Sequence, residues 1–219
     1  MVFNHQDVLS QNGQGWVGRA LVDGDFETAL RLAIGTPARK DLGVRRAFTR
    51  TCAAKWGQWK ALAAELQCAV GASVFVPHSS GKVANRFFWV EPDGTTTTAD
   101  KRHLFAVAGE HRDFERGMDS VVVTWRGWRL RLAVCFDLRF PVWLRNTLDA
   151  EGKPDYDALL VVANWPETRE NAWTTLLAAR AMENQCYVAG VNRIGLDGFG
   201  VDHSGASRII GPWGDVLAS

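Results

Sequence analysis

The sequence predicts an α/β sandwich in which helices cover sheet, and three observations carry the prediction. Between residues 69 and 135 the chain reads as short β-type runs joined by turns, and after Cys135 it alternates buried strand with helix. The composition, 47% hydrophobic and 22% charged over 219 residues, is that of a packed globular chain. A chain of this length supplies one well-filled core, so a single domain over residues 1–219 is expected.

Taken in order, residues 1–55 contain turn clusters such as QNGQG and VDGD, have weak periodicity and offer no clear opening strand. Residues 56–68, WGQWKALAAELQC, are rich in good helix formers at helical period. AVGASVFV then reads as a strand, HSSGK as a turn, ANRFFWVEPDG as a strand closed by Pro-Asp-Gly, and TTTTADK as a β-branched strand leading to Lys101. SVVVTW and WRLRLAVC form a second hairpin about Arg126-Gly127. In its second strand Trp128, Leu130, Leu132 and Val134 alternate with Arg129, Arg131 and Ala133, which predicts one apolar face. Beyond Cys135 the expectation is a short helix from Pro141 to Thr147, a buried strand DALLVVAN, a helix over 171–184 and a buried strand CYVAGVNR. GASRIIGPWGDVLAS closes the chain as two strands about a Pro-Trp-Gly turn.

Charge and cysteine usage narrow the function. A net charge of +1 provides no field to gather nucleic acid or acidic membrane. The seven Lys/Arg of residues 39–60 (Arg39, Lys40, Arg45, Arg46, Arg50, Lys55, Lys60) read as a solvated helix face, since no stacking platform accompanies them. No apolar run approaches the roughly 20 residues of a membrane span and no signal peptide is legible, so a cytoplasmic protein is expected. Cys52, Cys68, Cys135 and Cys186 are widely spaced, without the C-x-x-C pairs of a zinc site or a disulfide framework, and His103 and His111 are poorly placed as metal ligands.

The stretch VCFDLRFPVW puts Cys135 at the carboxyl end of a buried strand, where a sharp turn into helix would present the sulfur at the sheet rim. From its own neighbourhood Cys135 reads equally as a buried, inert thiol. In TTADKRHLFAVAGEHRDFERG, Lys101 stands at a strand end and Glu110 follows it: an ammonium suited to stabilising an oxyanion, with a carboxylate to keep it charged. Alone, that stretch also reads as a basic surface run.

Together, DKRHLF, VCFDLRFPVW, VVANWP and ARAMENQCYVAGVNR resemble the carbon-nitrogen hydrolases of the nitrilase superfamily, and within it the omega-amidase branch, over residues 66–219. The resemblance implies a nitrilase-type α-β-β-α sandwich, incomplete at both ends, which cleaves the terminal amide of a small carboxylated amide such as 2-oxoglutaramate and releases ammonia through a cysteine thioester. It matches Cys135 to the nucleophile, Lys101 to the oxyanion lysine, Glu110 to a supporting glutamate, the Phe136 amide to the oxyanion site, and Asn164 and Trp165 to the pocket wall. Glu183 to Gln185 and Asn192-Arg193 match later structural signatures, and Arg139 and Arg193 are candidates to meet a substrate carboxylate. No metal or organic cofactor is implied, and the family suggests a homodimer whose contacts use a segment past Ser219.

The chain departs from the family in one respect: the general-base glutamate belongs to an early Pro-Glu motif at a strand end, and no such motif precedes residue 66. Glu27, in GDFETAL, and Glu65, in LAAELQ, are the remaining candidates. The expectation is a truncated or frame-shifted reading in which N-terminal sequence has been replaced and the tail lost, with a divergent member as the alternative. A catalytically silent homologue is the competing functional class.

Overall fold

The computed structural model describes residues 57–197 and 200–219. A helix, α1, covers residues 57–66 and ends where Gln67 takes a left-handed φ of 50°. Three antiparallel strands follow, β1 (Val70–Pro77), β2 (Val83–Val90) and β3 (Thr96–Asp100), in that order across a sheet, with a two-residue strand β4 (Phe114–Glu115) parallel to the start of β2. Between β3 and β4 the chain makes a one-turn helix, α2 (Glu110–Asp113).

The second sheet contains β5 (Val122–Trp125), β6 (Trp128–Val134), β7 (Ala158–Ala163), β8 (Tyr187–Asn192), β9 (Arg208–Ile210) and β10 (Val216–Ala218), in sequential order across the sheet. Its centre, β6-β7-β8, is parallel, and both flanks are antiparallel. The crossover from β7 to β8 is α3 (Glu170–Asn184).

Alternation along the strands sorts side chains into three cores. Ala158, Leu160 and Val162 of β7 and Leu130, Leu132 and Val134 of β6 meet Phe87, Trp89 and Ala99 of the first sheet, forming the seam between sheets. The opposite faces are capped by helices: Trp59 and Ala63 of α1 on Val70, Ala72, Val74 and Val76, and Trp173, Leu177 and Ala181 of α3 on Leu159, Val161 and Val188. The layer order is therefore helix, sheet, sheet, helix, the α-β-β-α arrangement expected.

Two expectations fail. Residues 141–147 are not helical: Trp143 and Leu144 close turns onto Phe140, and beyond them the side chain of Asn146 bonds the backbone of Tyr156 and Asn184 while the Thr147 carbonyl accepts from Asp155. Those bonds draw the segment out of the helical ladder. The helical turn lies earlier, as a 3₁₀ segment Cys135–Arg139. The second fails only at its first residue: Leu130, Leu132 and Val134 form the apolar face expected of β6, and Trp128 lies outside it. Arg131 is buried, donating to the Trp143 carbonyl at 3.0 Å and to Ser120 Oγ with its guanidinium over the Trp143 ring, whereas Trp128 is exposed.

Among the described residues no helix is long and apolar enough to cross a membrane. The atypical segment 1–55, Cys52, Glu27 and the basic run from Arg39 to Lys55 lie outside the described residues.

α3 packs closely on its sheet at Gly190 of β8, where a Cβ would fall 2.5 Å from a Leu177 methyl and 2.9 Å from the Trp173 ring. Gly190→Ala is expected to destabilise the fold by about 1–3 kcal/mol through overpacking, read as a lowered thermal midpoint of the purified variant.

Candidate active site

The parallel strands β6, β7 and β8 run out at one edge of their sheet, and a cavity of about 90 Å³ opens beside the first two. It is lined by Lys101, Phe105, Glu110, Cys135, Phe136, Arg139, Asn164, Trp165, Pro166 and Arg169. Cys135, Phe136 and Arg139 come from the turn after β6, Asn164 and Trp165 from the end of β7, and Lys101, Phe105 and Glu110 from the loop after β3. Loops at the carboxyl ends of parallel strands are where open α/β sheets gather ligands.

Cys135 follows β6 directly, and its φ of 49° lies in the left-handed region, at a cost of about 1–2 kcal/mol for a non-glycine residue. Asp137 and Arg180 hold this turn in place. Asp137, 2% exposed, reaches back to accept from the Val134 amide at 3.1 Å. Arg180, buried on α3, donates from Nε to the Leu138 carbonyl at 3.0 Å and pairs with Glu183 at 2.7 Å. Cys135 Sγ rests 3.9 Å from the Asn164 carbonyl oxygen.

Lys101 follows β3 and is 2% exposed. Its amide donates to Asn85 and its carbonyl accepts from Gly117, so the loop between them is closed at its base. Only glycine fits at position 117, because a Cβ there would lie 2.2 Å from the Asp100 carbonyl oxygen. Lys101 Nζ donates to both oxygens of Glu110, at 2.9 and 2.7 Å, and Glu110 Oε2 also accepts from the Phe105 amide at 2.7 Å. Burial opposes the charge on Lys101, but Glu110, the Cys135 sulfur and Asp137 outweigh it and hold the ammonium above the usual lysine range. Burial pushes the Cys135 thiol up, with Lys101 opposing in part.

Two candidates fall elsewhere. Glu65 is exposed on α1 and does not line the cavity. Arg193 is buried and donates to the Leu196 carbonyl at 2.6 Å, away from the cavity lining. Glu183, expected as a structural signature, pairs with Arg180, which braces the turn after β6. Asn192 has a comparable bracing position: its side chain accepts from the Trp165 amide at 2.7 Å and donates to the Trp165 carbonyl at 3.0 Å. Among the described residues no group of three or more His, Cys, Asp or Glu is placed to hold a metal ion.

Sequence reasoning passed over Asp137, Phe105 and Arg169, and weighed His103 only as a metal ligand. Asp137 also accepts from the His103 amide at 2.8 Å, from His103 Nδ1 at 2.9 Å and from the Arg102 amide at 3.4 Å, joining the cysteine turn to the lysine loop. His103 stacks on Phe140 at 3.6 Å between ring centroids. The signal for Asp137 was present two residues after the thiol, in CFD, as an acid at the third position of a turn.

This fold, with a cysteine, a lysine and a glutamate converging on one sheet edge, defines a class. The family model for carbon-nitrogen hydrolase matches residues 50–219, and the chain belongs to that family. Over 159 residues it is 50% identical to the omega-amidase YafV of Escherichia coli K12, covering 73% of this chain and 59% of that protein. It is 37% identical over 118 residues to the 2-oxoglutaramate amidase of Bacillus subtilis 168, covering 54% and 44% of the two chains. Among solved structures it is similar to XC1258 of Xanthomonas campestris, a CN-hydrolase superfamily protein with an arsenic adduct in its active site. That likeness has a TM-score of 0.72 and 43% identity over 75% of this chain and 62% of the other. The chain thus spans about six-tenths of the length of these first relatives.

Lys101 favours the thiolate, so replacing it moves the Cys135 pKa further up. Lys101→Met is expected to slow iodoacetamide labelling of Cys135 at pH 8 several-fold, as followed by peptide mass spectrometry. Asp137→Ala strands buried donors and is expected to cost about 2–4 kcal/mol, measured by urea unfolding.

Proposed function

We propose that this chain is an amidohydrolase of the omega-amidase kind, cleaving the terminal amide of a small carboxylated amide such as 2-oxoglutaramate. The observation that carries the reading is the buried Lys101–Glu110 pair opening on the same cavity as the Cys135 sulfur. Amide carbonyls are poor electrophiles, and a thiolate adds to one only where the developing oxyanion meets a donor already in place. In this reading Cys135 attacks the amide carbon, Lys101 and the Phe136 amide receive the oxyanion, and collapse expels the nitrogen as ammonia once it is protonated. Water then attacks the thioester, the same donors receive the second oxyanion, and the carboxylic acid leaves as the thiol reforms. Glu110, held by Lys101 and the Phe105 amide, serves to orient Lys101.

The two proton transfers require a further acid-base group. Glu110 is the single carboxylate among the described residues lining the cavity, and both of its oxygens already accept hydrogen bonds. That observation supports a second reading, a silent homologue that keeps the fold and the nucleophile turn. Glu27, outside the described residues, is the alternative base.

Ammonia release from 2-oxoglutaramate and a small panel of amides separates the readings. The first expects activity that falls on the order of a thousandfold or more in a folded Cys135→Ala variant. A folded wild-type chain with no activity towards any amide supports the silent reading, and activity unchanged in Cys135→Ala rejects Cys135 as nucleophile.

A further inference from the structure

The charges lining the cavity do not balance internally. Lys101 and Glu110 neutralise each other. Arg139 and Arg169 also line the cavity, and among the described residues neither forms an ion pair with a carboxylate. Both are exposed at its mouth, and each lies against an aromatic wall: Arg139 over Trp165 at 4.9 Å and Arg169 over Phe105 at 5.1 Å. These contacts brace two flexible side chains without using up their positive charge, which stays available to an anion.

The two stacks also bridge the elements that build the site. Arg139 closes the 3₁₀ turn that begins at Cys135, and Trp165, beneath it, is fixed through its backbone by Asn192. Arg169 precedes α3, and Phe105 beneath it donates its amide to Glu110, the partner of Lys101. A molecule with a carbonyl at Cys135 and a carboxylate at its other end would place that carboxylate at the mouth, where the two guanidiniums stand.

Resting on the amidase reading above, we infer that Arg169, acting with Arg139, is the specificity-determining residue that receives the substrate's free carboxylate. It selects amides bearing an anionic far end over neutral amides of similar length. A bidentate guanidinium matches a carboxylate in geometry as well as charge. Arg193, the other arginine expected to meet that group, is buried elsewhere.

Two alkylating reagents of nearly equal size test this without requiring turnover. N-iodoacetylglycine and N-iodoacetylglycinamide each lose iodide to the Cys135 sulfur as one C–S bond forms, and they differ in that the first carries a carboxylate at its far end. The ratio of their rates at Cys135, located by peptide mass spectrometry and referred to the same ratio for glutathione, reads the preference for an anion. In the wild-type chain the referred ratio is expected to exceed one. In Arg169→Met and Arg169→Gln it is expected to fall roughly three- to tenfold, a range discounted for the exposure of the guanidinium, while the N-iodoacetylglycinamide rate stays within about twofold. Arg169→Lys should recover part of the loss.

A referred ratio at or below one in the wild type, or one unchanged in both folded Arg169 variants, overturns the inference. The amidase reading fails separately: if no amide releases ammonia yet the ratio falls as described, the carboxylate subsite stands and the reaction must be reassigned. If ammonia is released and the ratio does not move, the reaction stands without this subsite.

Discussion

The site depends first on a buried carboxylate that takes no place in the cavity lining. Asp137 accepts from the amide just before the cysteine and from the amides just after the lysine, so that a turn of the second sheet and a loop of the first share one acceptor. Without it, thiol and ammonium would be held in register only by the packing of the seam and the stack of His103 on Phe140. A charge-assisted acceptor with several backbone donors is a stiff joint, and it is worth most where water is excluded.

Around that joint the layers perform distinct tasks. The seam between the sheets fixes how far apart the ends of β3 and β6 stand, and the outer helices fix each sheet's exposed face. α3 does more than cover apolar surface, because Arg180 extends from it to the carbonyl of Leu138 and so steadies the cysteine turn from behind. Asn192 steadies Trp165 in the same manner from β8. Polar groups buried this completely persist where their hydrogen bonds are satisfied, and both of these spend theirs on the backbone of the cavity wall.

Where the sequence was legible, period made it so. The strands around Val74, Phe87 and Leu160 and the helix ending at Asn184 lie where alternation and helical spacing place them. The failures occurred where side chains took over backbone hydrogen bonding, as Asn146 does after Leu144, and at Trp128, exposed at the start of β6. Neither event leaves a periodic trace. In the cavity, Cys135, Lys101 and Glu110 were recognisable as chemistry-bearing types, but their convergence was a matter of family likeness, because local spacing says nothing about two loops from different sheets. Arg169 had no local signal at all; its relevance lies in facing Phe105 across 64 positions of sequence.

The left-handed backbone at Cys135 sets stability and chemistry against each other at one residue. Any side chain there bears the steric penalty of that conformation, and glycine alone escapes it. The replacement that would most relieve this strain, glycine, is also one that removes the thiol. The same reasoning makes alanine the fair replacement for isolating the role of the sulfur, since it keeps the strain that glycine would release.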